Sequence, residues 1–280
     1  MENTTVLSLK DKIFQKQLRS RINDLVDGKK ISPWVIELDP TTACNLACHG
    51  CISANLLNQG GFERERLVNL ANEFVEAGVK AVVLIGGGEP MAHPEFGNIV
   101  DIFYDNDIHV GVTSNGMMIN KYLNQLQNKT KWVRISVDAG SEEVFQKYRP
   151  HVSGKSQFNR VIDGMKKISE NRKGKLGFSF LILTKLDEKG KFIETNAVDI
   201  ENAAHVAKDI GCDYFEVKPS FDIFHFLNDS RDVSDVVNDQ LKKIKTLASK
   251  DFSIISPYTL EGALEGSTTQ EKNYKRCLTT

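Results

Sequence analysis

The chain has 280 residues, of which 40% are hydrophobic and 26% charged, and its formal net charge is −1. That length suits one large α/β barrel or two modest domains, with enough apolar material for a core. The near-neutral balance excludes a general pull toward nucleic acid or anionic membrane, and no apolar run approaches the roughly 20 residues that cross a bilayer. No signal-peptide core is expected in the lysine- and arginine-bearing first thirty residues. Three of the five cysteines crowd into positions 44–51. With an odd total, this argues for a reducing cytoplasm rather than a disulfide framework.

In chain order, residues 3–30 read as a polar helical lead-in whose thin apolar stripe is Ile13, Leu18, Ile22 and Leu25, suited to a cap or docking helix. Trp34-Val-Ile-Glu-Leu38 reads as the first strand and runs straight into the cysteine stretch. Leu67, Leu70, Ala71 and Phe74 then mark a helix ended by Gly78. Ala81-Val-Val-Leu-Ile85 is a continuously apolar run, the pattern of a strand buried on both faces. Phe96, Ile99, Val100 and Phe103 mark the next helix, with Pro94 in its first turn. Ile108, Val110 and Val112 alternate as a strand, and a short helix is expected over 118–126.

Val133, Ile135 and Val137 alternate again and leave Arg134 and Ser136 on the opposite face. Two helical pieces follow, the second carrying Phe158, Val161, Ile162 and Met165. Residues 176–183 form a longer strand. Ile200, Ala203, Ala204 and Ala207 mark a helix closed by Gly211, and 214–217 a last strand. Counting a C-terminal helix with Val233, Val236, Val237 and Ile244, six strand–helix units emerge. Such alternation implies a parallel α/β sheet, either a partial barrel or a doubly wound open sheet, with ligands at the C-terminal strand ends.

Packing does not account for Cys44, Cys48 and Cys51 in the stretch Thr41-Thr-Ala-Cys-Asn-Leu-Ala-Cys-His-Gly-Cys51, because one buried cysteine fills space as well as three. The Cys-x3-Cys-x2-Cys spacing leaves three cofactors to weigh. Structural zinc wants four ligands, and a fourth from His49, His93, Cys212 or Cys277 has no familiar finger spacing. Covalent haem attachment needs Cys-x2-Cys-His, and Cys44 lies one residue too far from Cys48-His49. An iron–sulfur cluster is at home with thiolates, and three of them leave one iron of a four-iron cluster open to a ligand.

The cysteine stretch directly after a strand, together with Gly87-Gly88-Glu89-Pro90 at the end of the second strand, resembles the radical S-adenosylmethionine (SAM) enzymes. The resemblance runs over 32–220, about two-thirds of the chain, and implies a partial (β/α)6 TIM-like barrel. It implies three units: a helical extension over 1–31, the barrel core over 32–220 and an extension over 221–280. The family's cofactors would be a [4Fe–4S] cluster on the three cysteines and SAM on the fourth iron, giving a 5′-deoxyadenosyl radical that abstracts hydrogen. Implied partners are a peptide or small-molecule substrate and a one-electron donor such as flavodoxin or ferredoxin, with no nucleic acid and no membrane. The alternative is a non-catalytic iron–sulfur electron carrier or a zinc-binding protein.

The resemblance further implies roles beyond the cysteines. Gly87 and Gly88 would let the SAM amino group approach backbone carbonyls, and Glu89, either a ligand contact or a strand-end carboxylate that fixes the loop, would support the SAM site. Ser114 and Asn115, in a stretch that also reads as a plain Asn-Gly turn, would lie near the ribose or carboxylate. Ser136 would contact SAM. Asp138 would face SAM or substrate, or else cap the helix starting near Ser141. Lys218 would border the adenine pocket or merely end a strand. Arg149 offers a fork for a carboxylate or, more commonly, a solvated helix cap. Phe221, Phe224 and Phe226 read as core or as pocket lining, and His225 as a structural hydrogen-bonder. Cys212 reads as an ordinary buried thiol. Tyr274-Lys-Arg-Cys277 resembles the start of extensions that bind auxiliary clusters, but no further cysteine follows it and no second cluster is expected. One departure stands out: many relatives carry an aromatic before the third cysteine, and this chain carries Gly50.

Overall fold

The protein is seen in a computed structural model that describes residues 16–189, 191–220, 231–256 and 260. Seven parallel strands form one sheet: β1 (Val35–Leu38), β2 (Ala81–Leu84), β3 (His109–Ser114), β4 (Trp132–Ser136), β5 (Lys175–Ile182), β8 (Tyr214–Pro219) and β9 (Ser253–Ile255). A two-stranded antiparallel hairpin, β6 (Thr184–Leu186) and β7 (Phe192–Thr195), leaves the sheet just after β5. The first six sheet strands are those expected from the alternation. The seventh strand and the hairpin are additions, each strand being only three or four residues long and too short to show a period. Among the described residues β1 and β9 are not paired with each other, so the sheet is an open TIM-like α/β arrangement.

Helices α2 (Arg64–Glu76), α3 (Phe96–Asp105), α4 (Leu123–Asn128), α5 (Glu142–Tyr148), α6 (Phe158–Glu170) and α7 (Ile200–Ile210) connect the strands, and α8 (Arg231–Ile244) lies on α7. Their apolar stripes, such as Phe96, Ile99, Val100 and Phe103 of α3, are fully buried with the alternate strand residues Val82, Val110, Val133 and Phe178. Gly211 ends α7 with φ +85°, a left-handed cap that lets its N–H and that of Cys212 reach back to the Ala207 carbonyl. Two local expectations shift. Pro94 lies before the Glu95 cap rather than in the first turn of α3. The expected helix over 118–126 is a 3-10 turn (Ile119–Lys121) followed by α4.

Helix α1 (Lys16–Val26) is what the described residues show of the lead-in, and Ile22 and Leu25 on it are exposed rather than buried. Ile13 and the Leu18 side chain lie outside the description, as do Phe221, Phe224, His225, Phe226, Tyr274 and Cys277. Among the described residues no helix is long and apolar enough to cross a membrane.

The second face of the sheet is unlike the first. β2 alternates half-buried and buried residues instead of being closed on both sides. Trp132 of β4 lies over Gly111 of β3, where an added methyl would fall 2.3 Å from the indole, and Tyr214 of β8 lies over Gly177 of β5 in the same way at 2.0 Å. Above these rings the same face carries Thr113, Arg134 and Glu216, with Arg134 reaching both of the others. Parallel registry aligns the strand ends, pairing Leu38 with Leu84, Leu84 with Val112, Ser114 with Ile135 and Ser136 with Ser179. The cysteine loop, the glycine loop and the ends of β3, β4, β5 and β8 therefore meet along one rim.

Candidate active site

The cysteine loop is fastened from both sides. On one side the Cys44 N–H donates to Asn58 Oδ1 at 3.0 Å, and Asn58, at φ +60°, returns its N–H to Thr42 O at 2.8 Å. On the other, Ala47 N–H donates to Pro150 O (2.9 Å), His49 N–H to Tyr148 O (2.8 Å) and Val152 N–H to Asn45 O (3.1 Å). His49 Nε2 also lies 2.7 Å from Thr184 O, joining the loop to the hairpin. The thiols of Cys44, Cys48 and Cys51 are free and half-buried, and all three line one cavity of about 680 Å³.

Glycines 86–88 border the same cavity, for a reason the chain itself supplies. A methyl on Gly88 would lie 2.5 Å from the Thr42 carbonyl carbon and 2.6 Å from the carbonyl oxygens of Thr41 and Ala43. One on Gly86 would lie 2.5 Å from Asp39 Oδ1. The glycine loop thus packs backbone to backbone on the cysteine loop, with Glu89 N–H donating to Ala43 O at 2.8 Å. Asp39, which drew no attention in the sequence, accepts the Gly87 N–H.

Glu89 is buried and acts as a strut: its carboxylate accepts from Met91 N (3.1 Å), Ser114 Oγ (2.9 Å) and Asn115 N (2.7 Å). Burial raises its pKa, and the donors from Asn115, Met91 and Ser114 oppose the rise. Ser114 Oγ accepts Gly116 N–H at 2.8 Å. Asn115 Oδ1 accepts Met117 N–H at 2.9 Å, and its Nδ2 reaches Asn45 Oδ1 at 2.9 Å and Cys44 Sγ at 3.7 Å. So Ser114 and Asn115 line the cavity while their polar groups tie strand β3 to the glycine and cysteine loops.

Asp138 stands at φ +57°. It does not cap the following helix, because Ser141 does, accepting Val144 N–H. Instead Asp138 Oδ1 accepts Leu181 N–H at 2.7 Å and Oδ2 pairs with Arg149 Nη1. Arg149 is therefore no solvated cap. It is 8% exposed, forms part of the cavity wall, and its Nε is buried without a partner among the described residues. Burial works against its charge, but the neighbouring Cys48 and Asp138 outweigh this and raise its pKa. Ser136 and Lys218 line the same cavity, so every residue singled out from the sequence as cofactor-binding or cluster-binding borders one space. Leu181 and Leu183 add an apolar wall that the sequence did not flag, Leu183 lying 3.5 Å from where a Gly50 side chain would begin. Asn196, fully buried, shapes that wall by donating to Asp138 O and Leu181 O, both at 2.9 Å, and accepting Leu183 N–H at 2.7 Å.

Burial pushes the Cys48 thiol up to about 11 and also raises Cys44, against the pull of Arg149 on Cys48 and of the Leu46 N–H on Cys44. A coordinated cation deprotonates a thiol outright, so metal binding would override the effect of burial on Cys44 and Cys48. Of the possible fourth zinc ligands, His49 lines the cavity with Nε2 engaged at Thr184 O, His93 has both ring nitrogens engaged, with Phe62 O and Glu95 N–H, Cys212 is buried beside β8 away from the cavity, and Cys277 lies outside the described residues. Among the described residues no three His, Cys, Asp or Glu side chains are gathered to hold one metal ion. Three thiols that each bind a different iron of one cluster need no common point. The donor set therefore fits a cluster.

Residues 38–195 match the family described as the radical SAM superfamily. The chain belongs to that superfamily. Its members bind a [4Fe–4S] cluster and S-adenosylmethionine. Among named relatives, a probable GTP 3′,8-cyclase of Archaeoglobus fulgidus is 30% identical over 132 residues, covering 46% of this chain and 43% of that protein. The mycofactocin maturase MftC of Mycobacterium tuberculosis is 33% identical over 117 residues, covering 40% of this chain and 29% of that protein. In fold, the chain resembles Streptococcus suis SuiB bound to its precursor peptide SuiA, with a TM-score of 0.60 at 18% identity over 89% of this chain and 55% of that one. SuiB has also been seen bound to S-adenosylmethionine. The chain spans less than half the length of the two sequence relatives and just over half of SuiB.

Proposed function

We propose that the cavity is the active site of a radical SAM enzyme in which Cys44, Cys48 and Cys51 hold a [4Fe–4S] cluster and leave its fourth iron to SAM. The observation that carries this reading is the shared wall: three free thiols, the glycine edge and the Asp138–Arg149 pair all open on one cavity. When bound, cluster and SAM supply a 5′-deoxyadenosyl radical that abstracts hydrogen from the substrate. The protein's part is to hold and to exclude. Gly87 and Gly88 present bare backbone to the SAM amino group. Arg149, held in place by Asp138 and with its Nε unpartnered among the described residues, would offer a donor to the methionine carboxylate. Glu89, Ser114 and Asn115 keep the two loops at fixed spacing, Ser136 borders SAM, and Leu181 and Leu183 keep water from the reacting centre.

On this reading residues 32–220 form the catalytic unit, flanked by extensions over 1–31 and 221–280. The substrate is a small molecule or a peptide. SuiB, which shares the fold, binds a precursor peptide, which supports the second. A flavodoxin- or ferredoxin-like donor would supply the electron, and a reducing cytoplasm would keep the thiols free. Anaerobic reconstitution with iron and sulfide is expected to give a brown protein that releases 5′-deoxyadenosine with SAM and dithionite, and Cys48→Ser should do neither. A colourless zinc protein would overturn the reading. A redox-active cluster that never cleaves SAM would assign the chain to electron transfer.

A further inference from the structure

Lys218, a cation of the cavity wall, shares one negative oxygen with Arg134, which stands behind the wall. Lys218 Nζ lies 3.4 Å and Arg134 Nη1 3.3 Å from the same Oε2 atom of Glu216. Glu216 is 3% exposed and cannot be relieved by water. Both separations exceed the roughly 2.7–2.9 Å of a strong charge-assisted hydrogen bond. Among the described residues Arg134 Nη2 reaches only Thr113 Oγ1, at 3.3 Å, and Arg134 Nε is buried with no partner. Lys218 and Thr113 both line the cavity. Asp138, which also acts on Lys218, is already paired with Arg149. Among the described residues Lys218 and Arg134 thus share the single carboxylate of Glu216, and burial together with the Arg134 charge lowers the Lys218 pKa. Two partly buried cations that divide one carboxylate leave room for a second oxyanion between them and the cavity.

We propose that Lys218, backed by Arg134 and Thr113, forms a subsite for an oxyanion of the substrate, a carboxylate or a phosphate, separate from the position of SAM. The proposal rests on the radical SAM reading for its substrate but not for its test. An oxyanion at Lys218 would accept from the ammonium group's free protons and take over part of the load on Glu216 Oε2. It would also fix one end of the substrate against β8 and leave the rest facing the thiols. This makes the chain selective for anionic over neutral substrates.

The Trp132 ring provides the readout, since the Arg134 guanidinium carbon stands 5.9 Å from its centroid. The 280-residue protein, first without SAM and then, after reconstitution, saturated with it, is titrated with sodium acetate and with sodium phosphate, each replacing chloride at constant ionic strength, while tryptophan fluorescence is followed. A saturable change is expected with at least one anion, and which binds tighter tells carboxylate from phosphate. Lys218→Met should weaken it by roughly tenfold or more, the loss of one charge-assisted bond, while Lys218→Arg stays within about threefold. Lys218→Gln repeats the test if the methionine variant does not fold.

Three outcomes overturn the proposal: no saturable response in the parent protein, an unchanged response in the uncharged variants, or a response that saturating SAM abolishes. The last would mean that the cations serve the carboxylate of SAM itself. Release of 5′-deoxyadenosine from the same preparation scores the radical SAM reading separately. A protein that cleaves SAM but shows no saturable anion response sinks the subsite alone.

Discussion

Replacing Gly88 by alanine tests the claim that the glycine loop is shaped by the cysteine loop before any cofactor arrives. The new methyl would stand 2.5 Å from the Thr42 carbonyl carbon and 2.6 Å from two carbonyl oxygens, whereas ordinary contact begins at 3.4 Å. All three obstacles are backbone, so no side chain can swing aside, and the loops must part by about 0.9 Å. Overpacking of this kind costs about 1–3 kcal/mol. Chemical denaturation of the cluster-free protein should show that loss. The same shift is several times the roughly 0.2 Å tolerance of a metal–ligand distance, so iron and sulfide content after reconstitution should also fall sharply. Gly97→Ala is the control: its nearest neighbours are side-chain atoms of Tyr122 and Gln125 at 3.3 and 3.4 Å, and it should change stability by less than about 1 kcal/mol. A Gly88→Ala protein as stable as the parent and as fully loaded with iron would refute the reasoning.

Three further expectations concern the struts around the cavity. Asp138→Ala leaves Arg149 buried and uncompensated and should cost about 3–5 kcal/mol, much of it recovered by adding Arg149→Met; strictly additive losses in denaturation would contradict the pair. Burial raises the Glu89 pKa in the fold, so its contribution is fully present below the ordinary value of 4.5 and is lost as pH rises through the raised one. The stability of the cluster-free parent relative to Glu89→Gln should therefore decline from pH 4.5 upward, and a difference that grows with pH would argue for a depressed pKa instead. His49→Ala removes the 2.7 Å bond to Thr184 O and should cost about 1 kcal/mol. It should also speed amide exchange in the 184–195 hairpin; unchanged exchange would mean that the Lys147–Glu194 and Lys185–Glu194 ion pairs hold the hairpin alone.

What could be read without coordinates was whatever is local along the chain. Strand alternation in Val133, Ile135 and Val137, helical stripes such as Phe96 to Phe103, and the left-handed caps at Gly78 and Gly211 each depend on residues within a few positions. The three cysteines and the glycine loop were visible for the same reason, and parallel registry alone carries them to one rim. β9 and the hairpin escaped because three or four residues make no period.

The partners of the polar groups were decided by tertiary structure. Glu89 reads from sequence as support for a ligand site, by contact or by fixing the loop, and its strut role depends on Ser114 and Asn115, brought beside it only when β2 and β3 pair. Asp138 has a plausible local role three residues before a helix cap, but its nearest cation, Arg149, lies across α5 and turns back into the cavity. Asp39 owes its place to the Gly87 amide, 48 positions away. Arg134 and Glu216 meet because β5 lies between their strands and offers Gly177 and Ser179 rather than bulk. Backbone preference is settled by a residue's immediate neighbours. The cost of a buried charge is settled by whichever strand happens to lie alongside, and only the folded sheet determines that.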